Sequence, residues 1–151
     1  MDNHQIFKVI QECADILNVK IGSESFQDDL IREYDNAELV EFVRDMVESS
    51  SNSGMIMLEK HLVESRFKEL MKAHASPVIV FDKDSELCPV IIQLWKNKYK
   101  IIKIRKDEIE KWTADDLDWL NLACTEDLEV LFLSVFDYTS LVSDNDSPNA
   151  S

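Results

Sequence analysis

Only two glycines, Gly22 and Gly54, occur in the 151 residues of this chain, and that scarcity excludes a class of chemistry. Loops of the GxGxxG or GxxxxGK[ST] kind need several glycines at fixed spacing so that backbone N–H groups can close on a phosphate. None can be built here. Histidine is nearly as sparse: His4, His61 and His74 show no HxxxH or HExxH spacing, so neither a metal nor any other cofactor is expected. The three cysteines, Cys13, Cys88 and Cys124, are odd in number and include no CxxC pair. That argues against a disulfide framework or thiolate metal site and fits a reducing cytoplasm. No apolar run approaches the roughly 20 residues a bilayer span requires, and no h-region follows a basic N-terminus. A soluble, untargeted, cytoplasmic protein is the expectation.

Positive charge is also in short supply. Sixteen basic residues stand against thirty acidic ones, a net charge of −14, so the mean field repels phosphate backbones and anionic headgroups. Nucleic acid and membrane contact are not expected of this chain; a protein or peptide partner is, and composition leaves its oligomeric state open. The basic residues that exist are clustered: Lys96, Lys98, Lys100, Lys103, Arg105, Lys106 and Lys111 lie within sixteen positions. Strand alternation sends Lys98, Lys100 and Ile102 to one face and Tyr99, Ile101 and Lys103 to the other. Such lysines either guard a sheet edge or form a docking patch for an acidic protein surface.

Against these absences, 45% hydrophobic content is ample for one domain, since a chain of this length buries roughly 70% of its unfolded surface. Its clearest signals are three β-type runs: Pro77-Val78-Ile79-Val80-Phe81, Pro89-Val90-Ile91-Ile92-Gln93-Leu94-Trp95 and Tyr99-Lys100-Ile101-Ile102-Lys103-Ile104. The first is apolar throughout and suits a strand buried on both faces, and the other two meet at a polar break short enough for a hairpin. Leu128 to Phe136 reads as a further, closing strand.

Before residue 75 helical spacing dominates. Ile6, Val9, Ile10, Cys13, Ala14 and Leu17 make one apolar stripe over 3–18, which Asn18 or Gly22 can end. Ser25 is a plausible cap for a short helix over 26–34, and Asn36 for another over 37–48. The serine-rich segment 49–54 is a loop by composition. Residues 55–58 fit either a strand or a helix start, and a helix from Ser65 must stop before Pro77. Two short helices are predicted over 107–112 and 113–120, the second capped by Thr113. The polar stretch 140–151 is expected to be a disordered tail or linker, leaving 1–139 as a single α+β domain in which a helical N-terminal half packs on a late, mainly antiparallel sheet.

The paired carboxylates, Asp28-Asp29 and Asp115-Asp116, suit solvated helix starts rather than acid–base work, which needs a cleft to raise one pKa. A cysteine protease wants a Cys at a helix start and a His on a facing strand, and neither is present as a signature.

Taken in order, the elements resemble the N-terminal peptidase-like domain of ABC-type peptide and toxin exporters, a papain-like family related to bacteriocin-processing cysteine proteases. Ser76-Pro77-Val78-Ile79-Val80-Phe81 is similar to its first strand, Cys88-Pro89-Val90-Ile91-Ile92-Gln93-Leu94 to its His-led second, and Tyr99 to Ile104 to its third. Glu110-Lys111-Trp112-Thr113 and Leu131-Phe132-Leu133-Ser134-Val135 are similar to its closing elements, so the likeness spans roughly residues 1–136. The resemblance departs at the catalytic positions: Cys88 stands where active members carry His, and Ile104-Arg105-Lys106 replaces an Asp-Pro turn. Gln11-Glu12-Cys13 only faintly matches the nucleophile segment, and Cys13 sits inside an amphipathic helix.

What the resemblance implies is a catalytically dead, papain-like domain that docks cargo for a transporter, with 140–151 as the linker that would tether it there. A residual cleft lined by Cys88, Trp95 and Trp112 would then be its binding site, with packing as the alternative role of each tryptophan. Two other readings compete. One is a free-standing acidic adaptor or immunity-type protein, which accounts directly for the charge. The other is a thiol hydrolase pairing Cys13 or Cys88 with His61 or His74.

Overall fold

The computed structural model describes residues 1–21, 30–84 and 86–138. Helix α1, Asn3–Leu17, opens with a reciprocal cap. The Asp2 carboxylate accepts from the Gln5 backbone N–H at 3.0 Å, and the Gln5 side chain accepts from the Asp2 N–H at 2.8 Å, satisfying two otherwise orphaned donors. Asn18, at φ 57°, ends the helix in the left-handed region, which asparagine tolerates better than most residues.

Of the helix expected over 26–34, residues 22–29 lie outside the described residues, and 30–34 is not helical. Asn3 draws this stretch into extended backbone: its side chain donates to the Leu30 carbonyl and accepts from the Arg32 N–H, at 2.8 and 3.0 Å. Glu33 then bridges Asp2. Asp35, rather than Asn36, caps the single 3-10 turn Asn36–Glu38, and helix α2 follows at Leu39–Ser51. The serine-rich segment therefore splits. Its first residues complete α2, and the turn proper closes at Gly54, whose φ of 82° needs a residue without a Cβ.

Strand β1, Met55–Val63, resolves the ambiguity at 55–58 in favour of strand, and helix α3 spans Glu64–Met71. The remaining strands are β2 (Val78–Asp82), β3 (Cys88–Trp95), β4 (Lys98–Ile104), β5 (Ile109–Ala114) and β6 (Glu129–Asp137). They form one antiparallel sheet in the order β1-β6-β2-β3-β4-β5. The β3–β4 connection is a two-residue turn with Lys96 and Asn97 both at positive φ, 50° and 64°, the mirror-image turn whose twist matches that of paired strands.

The short helices expected over 107–112 and 113–120 are corrected. Residues 109–114 are strand β5, paired along β4 from Ile104↔Ile109 to Tyr99↔Ala114, and 115–120 is a run of turns without a helix. Local helix propensity loses because β4 offers an unpaired edge that a neighbouring segment can satisfy with main-chain hydrogen bonds.

Both faces of the sheet are covered. On one, α1 and α2 pack Ile10, Cys13, Phe42 and Met46 against Ile79, Phe81, Ile91 and Leu133. On the other, α3 sets Phe67 and Met71 against Val78, Val80 and Phe132, and Leu117, Leu120 and Leu122 of the 115–124 segment complete the layer. The helical half thus lies mainly on one face, with α3 crossing to the other. No described helix is long and apolar enough to cross a membrane.

Phe132 has no exposed surface and its ring centroid lies 5.0 Å from that of Phe67. Phe132→Ala is expected to destabilise the fold by about 3–5 kcal/mol, read from urea unfolding, because it removes the transfer free energy and leaves a cavity.

Candidate functional site

Two places bear on function: the start of β3, where the resemblance locates its lost catalytic centre, and a groove at the opposite end of the sheet. Cys88 opens β3 across from Asp82 on β2. Alternation sets it on the same face as Lys103, which pairs with Val90 on that face. The Lys103 ammonium lies 2.8 Å from an Asp82 carboxylate oxygen, and both side chains are about 5% exposed or less. The other Asp82 oxygen accepts from the Asp84 and Asn121 backbone N–H groups at 3.2 and 3.4 Å. Leu122 bridges Asp82 as well, and the Lys83 N–H donates to the Asn121 carbonyl at 2.7 Å. This ion pair therefore pins the return segment to the sheet. Among the described residues no buried side-chain polar atom lacks a partner.

Helix α1 begins beside this centre. The Gln5 amide donates to the Ile104 carbonyl at 2.9 Å, and Lys8 donates to the Lys106 carbonyl at 2.7 Å. A helix start against the strand ends is the layout a thiol protease uses, but the residues that open α1 are Asp2 and Asn3. Cys13 lies further along the helix with no exposed surface, and burial, with a smaller push from Glu12, raises its thiol pKa. Burial likewise pushes the Cys88 thiol up to about 11, although Lys103 opposes the shift. Both stay protonated at neutral pH and are poor nucleophiles. Arg105, just past β4, pairs its Nε with Glu110 at 2.7 Å, so that corner is closed by an ion pair.

His4 lies in the first turn of α1, its ring centroid 6.3 Å from that of Phe7, and the other two imidazoles are on β1 and beyond α3. His61, on edge strand β1, sits 3.0 Å from Glu59. His74 lies 3.4 Å from the Ser134 hydroxyl on β6, its pKa lowered by burial and then by Lys60. Ser134 shares the parity of Val130 and Phe132, which face α3, whereas Cys13 packs on the α1–α2 face. Two strands, β6 and β2, separate β1 from the β3 strand that carries Cys88.

Of the three residues expected to line one cleft, Trp95 and Trp112 both border the same groove and Cys88 does not. Trp95 follows Ile91 and Gln93 onto the α1 face, whereas Cys88 shares the parity of Val90 and Ile92 on the α3 face. Trp112 also packs on the α3 side, its ring centroid 5.2 Å from that of Trp119. Cys88 is buried with the ion pair, Trp112 is partly buried at the groove's edge, and Trp95, 44% exposed, presents the most open aromatic surface of the three.

Trp95 lines a groove of about 650 Å³ between α1 and the far end of β3, β4 and β5. Glu12, Asp15 and Ile16 form one wall, and Gln93, Lys100 and Lys111 stand on the sheet side. Glu12 pairs with Lys111 at 3.1 Å. The Lys96 and Lys100 ammonium groups sit 4.4 and 4.3 Å from the Trp95 ring centroid, within cation–π range. Sequence reading found the tryptophan and the lysines but not the α1 wall, whose Glu12 and Asp15 resemble any solvated helix face. Comparison with protein-family models, with curated proteins and with solved structures returned no match.

Two outcomes follow from this geometry. At neutral pH a thiol reagent should label exposed Cys124 first, with Cys13 and Cys88 protected until the chain unfolds; rapid labelling of Cys88 in the folded protein would contradict its burial. Lys103→Met should cost about 3–5 kcal/mol in urea unfolding because it strands the Asp82 carboxylate. The double variant Asp82→Ala/Lys103→Met should lose less than the two single variants together, since the residues act as one unit.

Proposed function

We propose that this chain is a non-catalytic peptidase-like recognition domain, of the kind that serves ABC-type peptide and toxin exporters, which docks a protein or peptide cargo without cutting it. The observation that carries the reading is the corner where α1 meets the starts and ends of β3 and β4. There α1 starts against the end of β4 through Gln5 and the Ile104 carbonyl, Cys88, at the position the resemblance gives to His, is buried and protonated on the opposite α3 face, and Arg105 is taken up by Glu110. The order of elements also agrees: a helical first half, then strand, helix and an antiparallel meander closed by the last strand. Docking needs an accessible surface in place of a catalytic one, and the Trp95 groove offers it.

A second reading rests on the net charge of −14. A free-standing adaptor or immunity-type protein would use that field to meet a basic partner, with strong salt dependence.

The test is to mix the protein with a double-glycine leader precursor peptide and follow binding by calorimetry and cleavage by mass spectrometry. The docking reading expects saturable binding with the peptide intact after hours. Any cleavage that disappears in Cys88→Ala or Cys13→Ala overturns it. Absence of binding to this cargo, together with salt-sensitive binding to a basic toxin domain, replaces it with the adaptor reading.

A further inference from the structure

The lysines around the β3–β4 hairpin do not guard a sheet edge. Edge protection requires charge on a strand with a free side, and β4 is paired on both: Lys100 stands between Gln93 of β3 and Thr113 of β5. Lys100 and Trp95 are open to solvent. In a protein with fourteen excess negative charges, this leaves an exposed indole flanked by two ammonium groups at 4.4 and 4.3 Å. Among the described residues, no carboxylate forms an ion pair with Lys96 or Lys100, whereas Lys98 has Asp115 at 3.7 Å and Lys111 has Glu12.

Two like charges held at one ring repel each other, and a carboxylate placed beside them relieves that repulsion while the ring supplies apolar contact. The neighbouring floor is aliphatic, from Ile16, Ile91 and Ile102. We propose that this groove binds an acidic, extended segment of a protein partner, with carboxylates against Lys96 and Lys100 and an apolar side chain between α1 and β4. The proposal rests on the reading of the chain as a recognition domain and names the chemistry of what it recognises. Nucleic acid and anionic membranes meet the same lysines only through the repulsive field of the whole molecule. A peptide is small enough to lie within the local positive patch. Of the two carboxylates on the α1 wall Glu12 is taken up by Lys111 at 3.1 Å, and the partner's apolar side chain faces that wall while its carboxylates stay at the Lys96–Lys100 end. A Debye length of about 8 Å at physiological salt screens the more distant acids.

The probe is a peptide of about twelve residues built from Glu-Leu-Glu-Ser repeats, titrated into the full chain by calorimetry, with a Lys-Leu-Lys-Ser peptide as control. Binding of the acidic peptide is expected to weaken at least tenfold in Lys96→Glu/Lys100→Glu and in Trp95→Ala. It should also weaken several-fold on raising salt from 50 to 500 mM, and be unchanged in Lys60→Glu on β1. Far-UV circular dichroism checks that each variant folds. Equal affinity for the two peptides, or equal loss in Lys60→Glu, overturns the proposal. So does a dimer in light scattering that Trp95→Ala dissociates, because the groove then belongs to a second copy of the chain. None of these results alters thiol labelling or leader cleavage, so failure here is distinguishable from failure of the non-catalytic reading.

Discussion

The fold depends on where β6 is inserted. Its nine residues pair along the whole of β1 on one side and with Val78 and Ile79 of β2 on the other, so the last strand joins the first strand to the β2–β5 meander. Without it, β1 and β2 each present an open edge, and the residues that α1 and α2 cover would have no continuous sheet to rest on. Its composition meets both demands. Leu131, Leu133 and Val135 face the α1–α2 layer, while Val130, Phe132 and Ser134 face α3. A strand buried on both faces reads as a near-continuous apolar run, and this one does, with Ser134 as its one polar interruption between Val130 and Phe136.

With the sheet closed in that order, its two ends take different roles. At the end where β2 and β4 finish and β3 begins, polar groups are used up internally: Lys103 by Asp82, Arg105 by Glu110, the start of α1 by the Ile104 carbonyl. That end is a structural clamp. At the hairpin end, polar and aromatic groups are left facing outward, and the groove beside α1 combines a negative wall with a positive one.

Much of this was legible in the sequence. Apolar runs located β2, β3, β4 and β6, helical spacing located α1 and α3, and alternation placed Lys98 and Lys100 on one face and Lys103 on the other. What failed had non-local causes. Ile109, Trp112 and the acids between them suit a helix as well as a strand, and only the free edge of β4 decides for β5. Residues 30–34 lose helical structure to a clamp by Asn3, nearly thirty positions away. Lys103 reads as a solvated lysine because nothing local announces Asp82 beneath it. The cleft that the resemblance implied for Cys88, Trp95 and Trp112 holds for the two tryptophans, which border one groove, but parity along β3 buries Cys88 on the α3 face, away from it.

The late position of β6 also bears on biosynthesis. Synthesis runs from the N-terminus, so β1, complete at Val63, waits until Glu129 for its partner β6, and β2, though soon paired with β3, keeps its other edge open for the same strand. During that interval two hydrogen-bonding edges are exposed side by side, an invitation to mispairing with other chains. The charged stretch Glu59-Lys60-His61 in β1 lowers that risk on one edge. The all-apolar Val78–Phe81 stretch of β2 has no such safeguard on the edge that awaits β6.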